Sequence, residues 1–239
     1  MERRIKVMPT DRTMPTGKWE FNNEVTAVFD DMLQRSIPDY LGMRRTTTEL
    51  ALRFCQNETY VVDLGCSRGA ALKPIIEASN KKVNYLGIEV SEPMRAAAVK
   101  ELVGKAEIVD LDLRDVYPNV SASVTLSVLT LQFIPIEYRQ RIIQNAFDNT
   151  ISGGAFLLVE KVLGADAFSD RLLVETYYDR KGENGYSTDQ ITAKRRSLEG
   201  VLVPVTADWN VEMLKQAGFK HVECYWRHLN FAAWIGVKQ

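Results

Sequence analysis

Apolar and polar positions change their period several times along the chain. Val25, Val28, Phe29 and Met32 recur at helical spacing inside 19–40, and Pro38 lies where that helix must end. A second helix is expected over 41–55. The run Thr59-Tyr-Val-Val-Asp63 is short, β-rich and bounded by Gly65, so it reads as a strand. Further strands are expected at 83–89, 106–110, 123–128 and 155–162, with Gly153-Gly154 marking a turn. Helices at 70–79, 92–103 and 135–149 fall between them. The centre of the chain therefore alternates strand and helix, which implies an α/β fold of parallel strands with crossover helices on both faces. Two helical stretches, 167–180 and 188–201, interrupt the alternation and predict a cap at about 164–205. A helix at 209–217 precedes two β-rich runs, 220–226 and 230–237, that form a terminal antiparallel hairpin. The simplest division is a flexible arm over 1–18 and one domain over 19–239 that carries the cap.

Composition narrows this picture. At 239 residues and 46% hydrophobic content, the chain can bury a full core. Thirty Lys and Arg against 31 Asp and Glu leave a net charge of −1. No global positive field exists to hold a phosphate backbone, so direct nucleic-acid binding is not expected. Cys55, Cys66 and Cys224 are too few, and odd in number, for a disulfide framework; they predict free thiols in a reducing compartment. No apolar run is long enough for a membrane helix, and the basic first 18 residues lack a signal-peptide core, so a cytoplasmic protein is expected. His221, Cys224 and His228 look like metal ligands on paper. In a strand, however, residues 221 and 224 face opposite sides, so no metal site is expected.

Open parallel sheets bind ligands beyond the carboxyl ends of their strands. The loop after the first strand reads Asp63-Leu-Gly-Cys-Ser-Arg-Gly69, where Gly65 and Gly69 permit sharp turning and close approach. It lacks the G-x-G-x-x-G spacing of a dinucleotide site and better suits a cofactor with an amino-acid tail, whose ammonium Asp63 would orient. Cys66 has no histidine near it in sequence and reads as a small residue packed beneath that tail, not as a nucleophile. Glu89 ends the second strand and can accept both ribose hydroxyls. Asp112, after the third strand, can accept from an adenine amino group while Leu113 packs on the ring. Alone, the first loop could be an ordinary strand-to-helix turn, Glu89 would read as a solvated strand-end glutamate, and Asp112 would be as readily part of an acidic surface loop. Together they predict an S-adenosylmethionine site.

This arrangement resembles the class I methyltransferases, with their Rossmann-like seven-stranded sheet and terminal hairpin. The chain is more narrowly similar to the carboxy-S-adenosylmethionine synthases. The similarity rests on Phe29-Asp-Asp-Met-Leu-Gln-Arg-Ser-Ile-Pro-Asp-Tyr40, Asp63-Leu-Gly-Cys-Ser67, Leu129-Thr-Leu-Gln-Phe133, Asn184-Gly-Tyr-Ser187, Lys194-Arg195 and Leu214-Lys-Gln-Ala-Gly-Phe219. It runs from about residue 19 to the C-terminus. It implies that Tyr40 contacts the cofactor, that Gly65, Cys66 and Ser67 hold its methionyl part, and that Glu89 and Val90 surround the ribose. Asp112 and Leu113 would lie at the adenine, and Arg195 would clamp the carboxylate of carboxy-S-adenosylmethionine. The implied reaction takes the carboxyl of prephenate, for a product used in wobble-uridine modification of tRNA by a separate enzyme. A homodimer is implied as well. Two departures from the family pattern stand out: Val128 replaces an asparagine near the cofactor, and Tyr177 and Tyr178 replace histidines in the cap. They keep open an ordinary methyltransferase, or a non-catalytic carrier of the carboxylated cofactor.

Overall fold

A computed structural model describes residues 10–239. The sheet is built from β1 (Thr59–Leu64), β2 (Val83–Ile88), β3 (Glu107–Val109), β4 (Ala122–Val128), β5 (Thr150–Leu163), β6 (Val205–Thr206), β7 (His221–His228) and β8 (Phe231–Val237). Its order is β3-β2-β1-β4-β5-β8-β7, with the two-residue β6 added beside β5. β1 to β6 pair in parallel; β8 runs antiparallel to both β5 and β7. The chain leaves β1 toward β2 and β3 on one side and later returns to place β4 on the other. The carboxyl ends of β1 and β4 thus flank the point where the order reverses, which is where a crevice opens.

Both faces of the sheet are buried. Phe156 and Leu158 of β5 join Val62 and Leu64 of β1 on one face, while Ala155 and Leu157 join Val61, Val124 and Leu126 on the other. The helices are α1 (Asn23–Ser36), α2 (Tyr40–Phe54), α3 (Leu72–Ala78), α4 (Glu92–Glu101), α5 (Ile136–Asn149), α6 (Ala167–Glu183), α7 (Thr188–Leu198) and α8 (Ala207–Ala217). Among the described residues, no helix is long and apolar enough to cross a membrane.

Three differences from the sequence expectation matter. First, α1 begins at Asn23, because the Asn22 side chain accepts from the Val25 N–H and caps it there. Trp19 and Phe21 are thereby left extended and free to line the crevice. Second, Gly153-Gly154 lies within β5. Pairing skips from Ala122↔Thr150 to Val124↔Ala155, so the glycines occupy an irregularity in the ladder in place of a turn. Third, the expected flexible arm is anchored where it is described; residues 1–9 of that segment lie outside the described residues. Asp11 and Thr13 are buried against the cap. Asp11 accepts from Lys194 Nζ at 2.6 Å and from the Tyr186 hydroxyl at 2.5 Å, and its backbone N–H donates to Asp31. The cap is thus sewn to the N-terminal segment through α7.

Candidate functional site

The crevice holds two adjoining chambers that share Trp19, Phe21, Gly65, Ser67, Leu129 and Phe133. Every site residue expected from the sequence lines one of them, except Arg195. Glu89, Val90, Asp112 and Leu113 line the first chamber; Tyr40, Asp63 and Cys66 line the second.

In the first chamber Glu89 ties two loops together. One carboxylate oxygen accepts the Ser67 N–H at 2.8 Å and the other accepts the Ser91 N–H at 2.8 Å. Ser91 also caps α4, whose sequence continues with an N-terminal proline. Burial pushes the Glu89 carboxyl up, while these N–H groups and Arg95 oppose the rise. Each oxygen keeps a lone pair for a ribose hydroxyl. Asp112 is held by Arg114 in a two-pronged pair, which lowers its pKa. Leu113 is buried and Val90 exposed, which would offer a planar base an apolar wall and an apolar rim. Glu89→Ala is expected to weaken nucleoside binding by ~1–3 kcal/mol, the worth of a charge-assisted pair. Calorimetry showing unchanged affinity would remove Glu89 from the ribose.

The loop joining the chambers is tightly fitted. Gly65 has φ +73°, and a Cβ there would lie 2.4 Å from the Thr130 methyl. Ser67 and Leu129, at φ 49° and 62°, are also left-handed, and both line the crevice. Cys66 is buried, and burial pushes its thiol well above the ordinary range, so it is no thiolate nucleophile.

Asp63 sits at the carboxyl end of β1, 1% exposed, and neither carboxylate oxygen has a hydrogen-bond partner among the described residues. Burial pushes it up to about 7; Arg44 opposes the rise and Glu89 adds to it. A buried carboxyl without a donor is costly unless something brings one. The ammonium of an amino-acid tail would supply that donor, and the chamber lined by Glu89 and Asp112 adjoins it.

The second chamber is aromatic and cationic. Trp19, Phe21, Phe29, Phe133, Tyr177 and Phe231 line it, together with Arg44, Lys161, Lys181 and Lys194. Val128 lines its wall with no polar atom, and Tyr177 forms part of its floor. The sequence reading missed Arg44, Lys161 and Lys181. A signal existed for one of them: Glu160-Lys161 interrupts an otherwise apolar β5. Glu160, 1% exposed and pushed up to about 8 by burial, accepts the N–H groups of Leu131 and Gln132. It thereby fixes the short turn Leu131–Phe133 that presents Phe133 to both chambers.

Arg195 is the exception. Its side chain is half exposed, its nearest carboxylate is Glu199 at 3.6 Å on the same helix, and it lines neither chamber. α7 turns Lys194 inward, and the next residue points about 100° away around the helix. The hairpin residues singled out as possible ligands are also apart in their contacts: His221 meets Gln239 and His228 meets Arg180. Among the described residues no cluster of three potential ligands could hold a metal ion, and all three cysteines are free thiols.

No family model matches the chain. Over 224 residues it is 37% identical to a carboxy-S-adenosyl-L-methionine synthase of Methylococcus capsulatus, covering 91% of this chain and 93% of that protein. Over 225 residues it is 39% identical to the synthase of the same name from Wolinella succinogenes, covering 92% and 94%. Among solved structures, Streptomyces venezuelae DesVI superposes with a TM-score of 0.63 at 12% identity, over 92% of this chain and all of that one. Human N-acetylserotonin methyltransferase in complex with SAM superposes at 0.56 and 12%, over 90% of this chain and 55% of that one. At such identities the solved structures establish the methyltransferase fold alone.

Proposed function

The chain belongs to the carboxy-S-adenosyl-L-methionine synthases, and from that premise we propose that prephenate is its carboxyl donor. The protein is a transferase of methyltransferase fold that acts on S-adenosylmethionine. One observation carries the donor reading: beyond the bare Asp63 carboxylate, the crevice continues into a chamber lined by four cationic side chains. A methyl acceptor for an ordinary sulfonium needs no such charge. An anionic donor does.

The balance is simple. The ring of prephenate loses its carboxyl carbon, the electron pair aromatises the ring, and hydroxide leaves. The sulfonium methyl, acidified by its positive charge, gives its proton to that hydroxide as water and its carbon to the carboxyl. Phenylpyruvate and carboxy-S-adenosylmethionine are the products. The chain's part is positional. Glu89 and Asp112 hold the nucleoside, Asp63 holds the ammonium, and the aromatic wall keeps bulk water from the carboxyl in transit. We place the product, as the resemblance implies, in tRNA wobble-uridine modification by a separate enzyme, and no metal in the reaction.

Arg195 lies outside its own chain's cavity, so its implied carboxylate clamp requires a second copy whose cavity it enters. The homodimer and that clamp stand together. Sedimentation velocity is expected to show a dimer, and a monomer at working concentration would remove both. The test of the reaction itself is mass spectrometry of the nucleoside after incubation with S-adenosylmethionine and prephenate. Carboxymethyl product is expected; methylated acceptor or unchanged cofactor would contradict it.

A further inference from the structure

We propose that Lys161 and Lys181 form a subsite for the carboxylate that the donor keeps. The inference rests on the carboxyl-transfer reading above and refines it. Lys161 extends from β5 and Lys181 from α6, and both line the second chamber. Lys181 is only 6% exposed. The two Nζ atoms lie 4.9 and 5.6 Å from the centre of the Tyr177 ring, and the charge of Lys161 disfavours that of Lys181. Neither ammonium has an ion pair or a hydrogen bond among the described residues, although each contacts an aromatic face.

The neighbouring cations are already engaged. Lys194 is paired with Asp11 at 2.6 Å, Arg35 with Asp31 at 3.2 Å, and Arg44 donates to the Ala70 carbonyl while facing Asp63. Two sequestered ammonium groups without counter-ions are expensive to maintain, and an anion between them offsets the cost. The chemistry decides which anion. A cation fixed on the departing carboxyl would hold back the electrons that must flow into the ring. The retained carboxylate stays charged throughout, so binding it anchors the donor without raising the barrier. It also keeps the lysines away from the sulfonium, which lies toward Asp63.

Titration supplies a second handle. Burial lowers Lys161 to about 8 and Lys181 to about 7. Lys181 faces Lys194 from α7, Lys161 from β5, Asp11 from the N-terminal segment and Arg35 from α1, beside the Tyr177 and Tyr186 rings; Lys161 faces Asp170 from α6. A bound carboxylate favours both charged forms. Binding at pH 8 must therefore take up protons, and affinity must fall as pH rises above 7.

The probe is phenylpyruvate, which carries only the retained carboxylate and does not react. Its affinity is measured by calorimetry, beside that of S-adenosylmethionine, in wild type and in the Lys161→Met, Lys181→Met, Lys161→Arg and Lys181→Arg variants. Each Met variant is expected to weaken phenylpyruvate at least ~10-fold and to change S-adenosylmethionine less than ~3-fold, as for loss of one hydrogen bond to a charged group. The Arg variants should recover part of the loss. Wild type should take up protons at pH 8 when titrated in buffers of different ionisation enthalpy. Met variants that keep both affinities would overturn the subsite, and so would binding without proton uptake. If a Met variant does not fold, the wild-type proton count decides. A wild type that turns over prephenate while the Met variants bind normally overturns the subsite alone. A wild type that neither turns over prephenate nor binds phenylpyruvate overturns the donor reading and the subsite with it.

Discussion

Asp11→Ala is expected to destabilise the protein by about 3–5 kcal/mol, the cost of leaving one member of a buried ion pair without the other. Asp11 and Lys194 have side-chain exposures of 0% and 3% and meet at 2.6 Å. The same carboxylate accepts from the Tyr186 hydroxyl, the Thr13 hydroxyl and the Thr13 N–H, while Lys194 also donates to Thr13. Truncation would leave the Lys194 ammonium buried beside Lys181 without its paired carboxylate. In a chain of this length the loss corresponds to a fall in Tm of roughly 10 °C. Asp11→Asn combined with Lys194→Met should recover part of it, because the second change removes the stranded charge. Burial pushes the Asp11 carboxyl up, but hydrogen bonds from Lys194, Tyr186 and Thr13 outweigh it and hold the pKa below the usual value. Its stabilisation is therefore present above the unfolded-state pKa and is lost as pH falls through the folded one. Urea titration at neutral pH checks the magnitude; a loss under about 1 kcal/mol would show that the strap contributes little.

Asp63→Asn should act with opposite signs on stability and on binding. With its folded pKa raised to about 7 from an ordinary 3.8, Asp63 opposes folding once pH exceeds the unfolded value, and the penalty is complete above the folded one. Some three pKa units amount to on the order of 4 kcal/mol at pH 8, so the asparagine variant should be more stable in the absence of ligand. Binding should move the other way. Losing a charge-assisted hydrogen bond to the methionyl ammonium costs ~1.5–3 kcal/mol, about 10- to 100-fold in affinity. In wild type, ligand locks Asp63 in its ionised form, so affinity should decline about tenfold per unit as pH drops below 7. In the variant that dependence should flatten. Thermal unfolding and calorimetry between pH 5.5 and 8 read both effects. A variant that binds S-adenosylmethionine as wild type does would detach Asp63 from the cofactor.

The contrast between these two residues shows what the sequence makes legible. Asp63, Gly65, Glu89 and Asp112 could be found because each lies at or just beyond the carboxyl end of a strand, and the topology of parallel sheets gathers such positions on one edge. The hairpin was legible for the same reason. Asp11 was not: nothing in a polar N-terminal stretch announces a partner 183 positions away. The two-residue β6 is too short to carry any period. That Arg195 points away from its own chain's cavity was not legible, for a specific reason. In α7, Thr-Asp-Gln-Ile-Thr-Ala-Lys-Arg-Arg-Ser-Leu, three adjacent cations offer no apolar stripe to say which one faces inward. Tertiary contacts with Asp11 and Trp19 make that choice, and they select Lys194.

We propose that this chain moves a carboxyl group from prephenate to the methyl carbon of S-adenosylmethionine. The direct measurement uses prephenate labelled with carbon-13 in its ring carboxyl, with unlabelled bicarbonate in the buffer, and weighs the nucleoside product. Carboxy-S-adenosylmethionine that carries the label, formed in step with phenylpyruvate, is expected, because the aromatic chamber would pass the carbon directly from donor to acceptor. A product without label, or phenylpyruvate released with no carboxymethyl nucleoside, would contradict it.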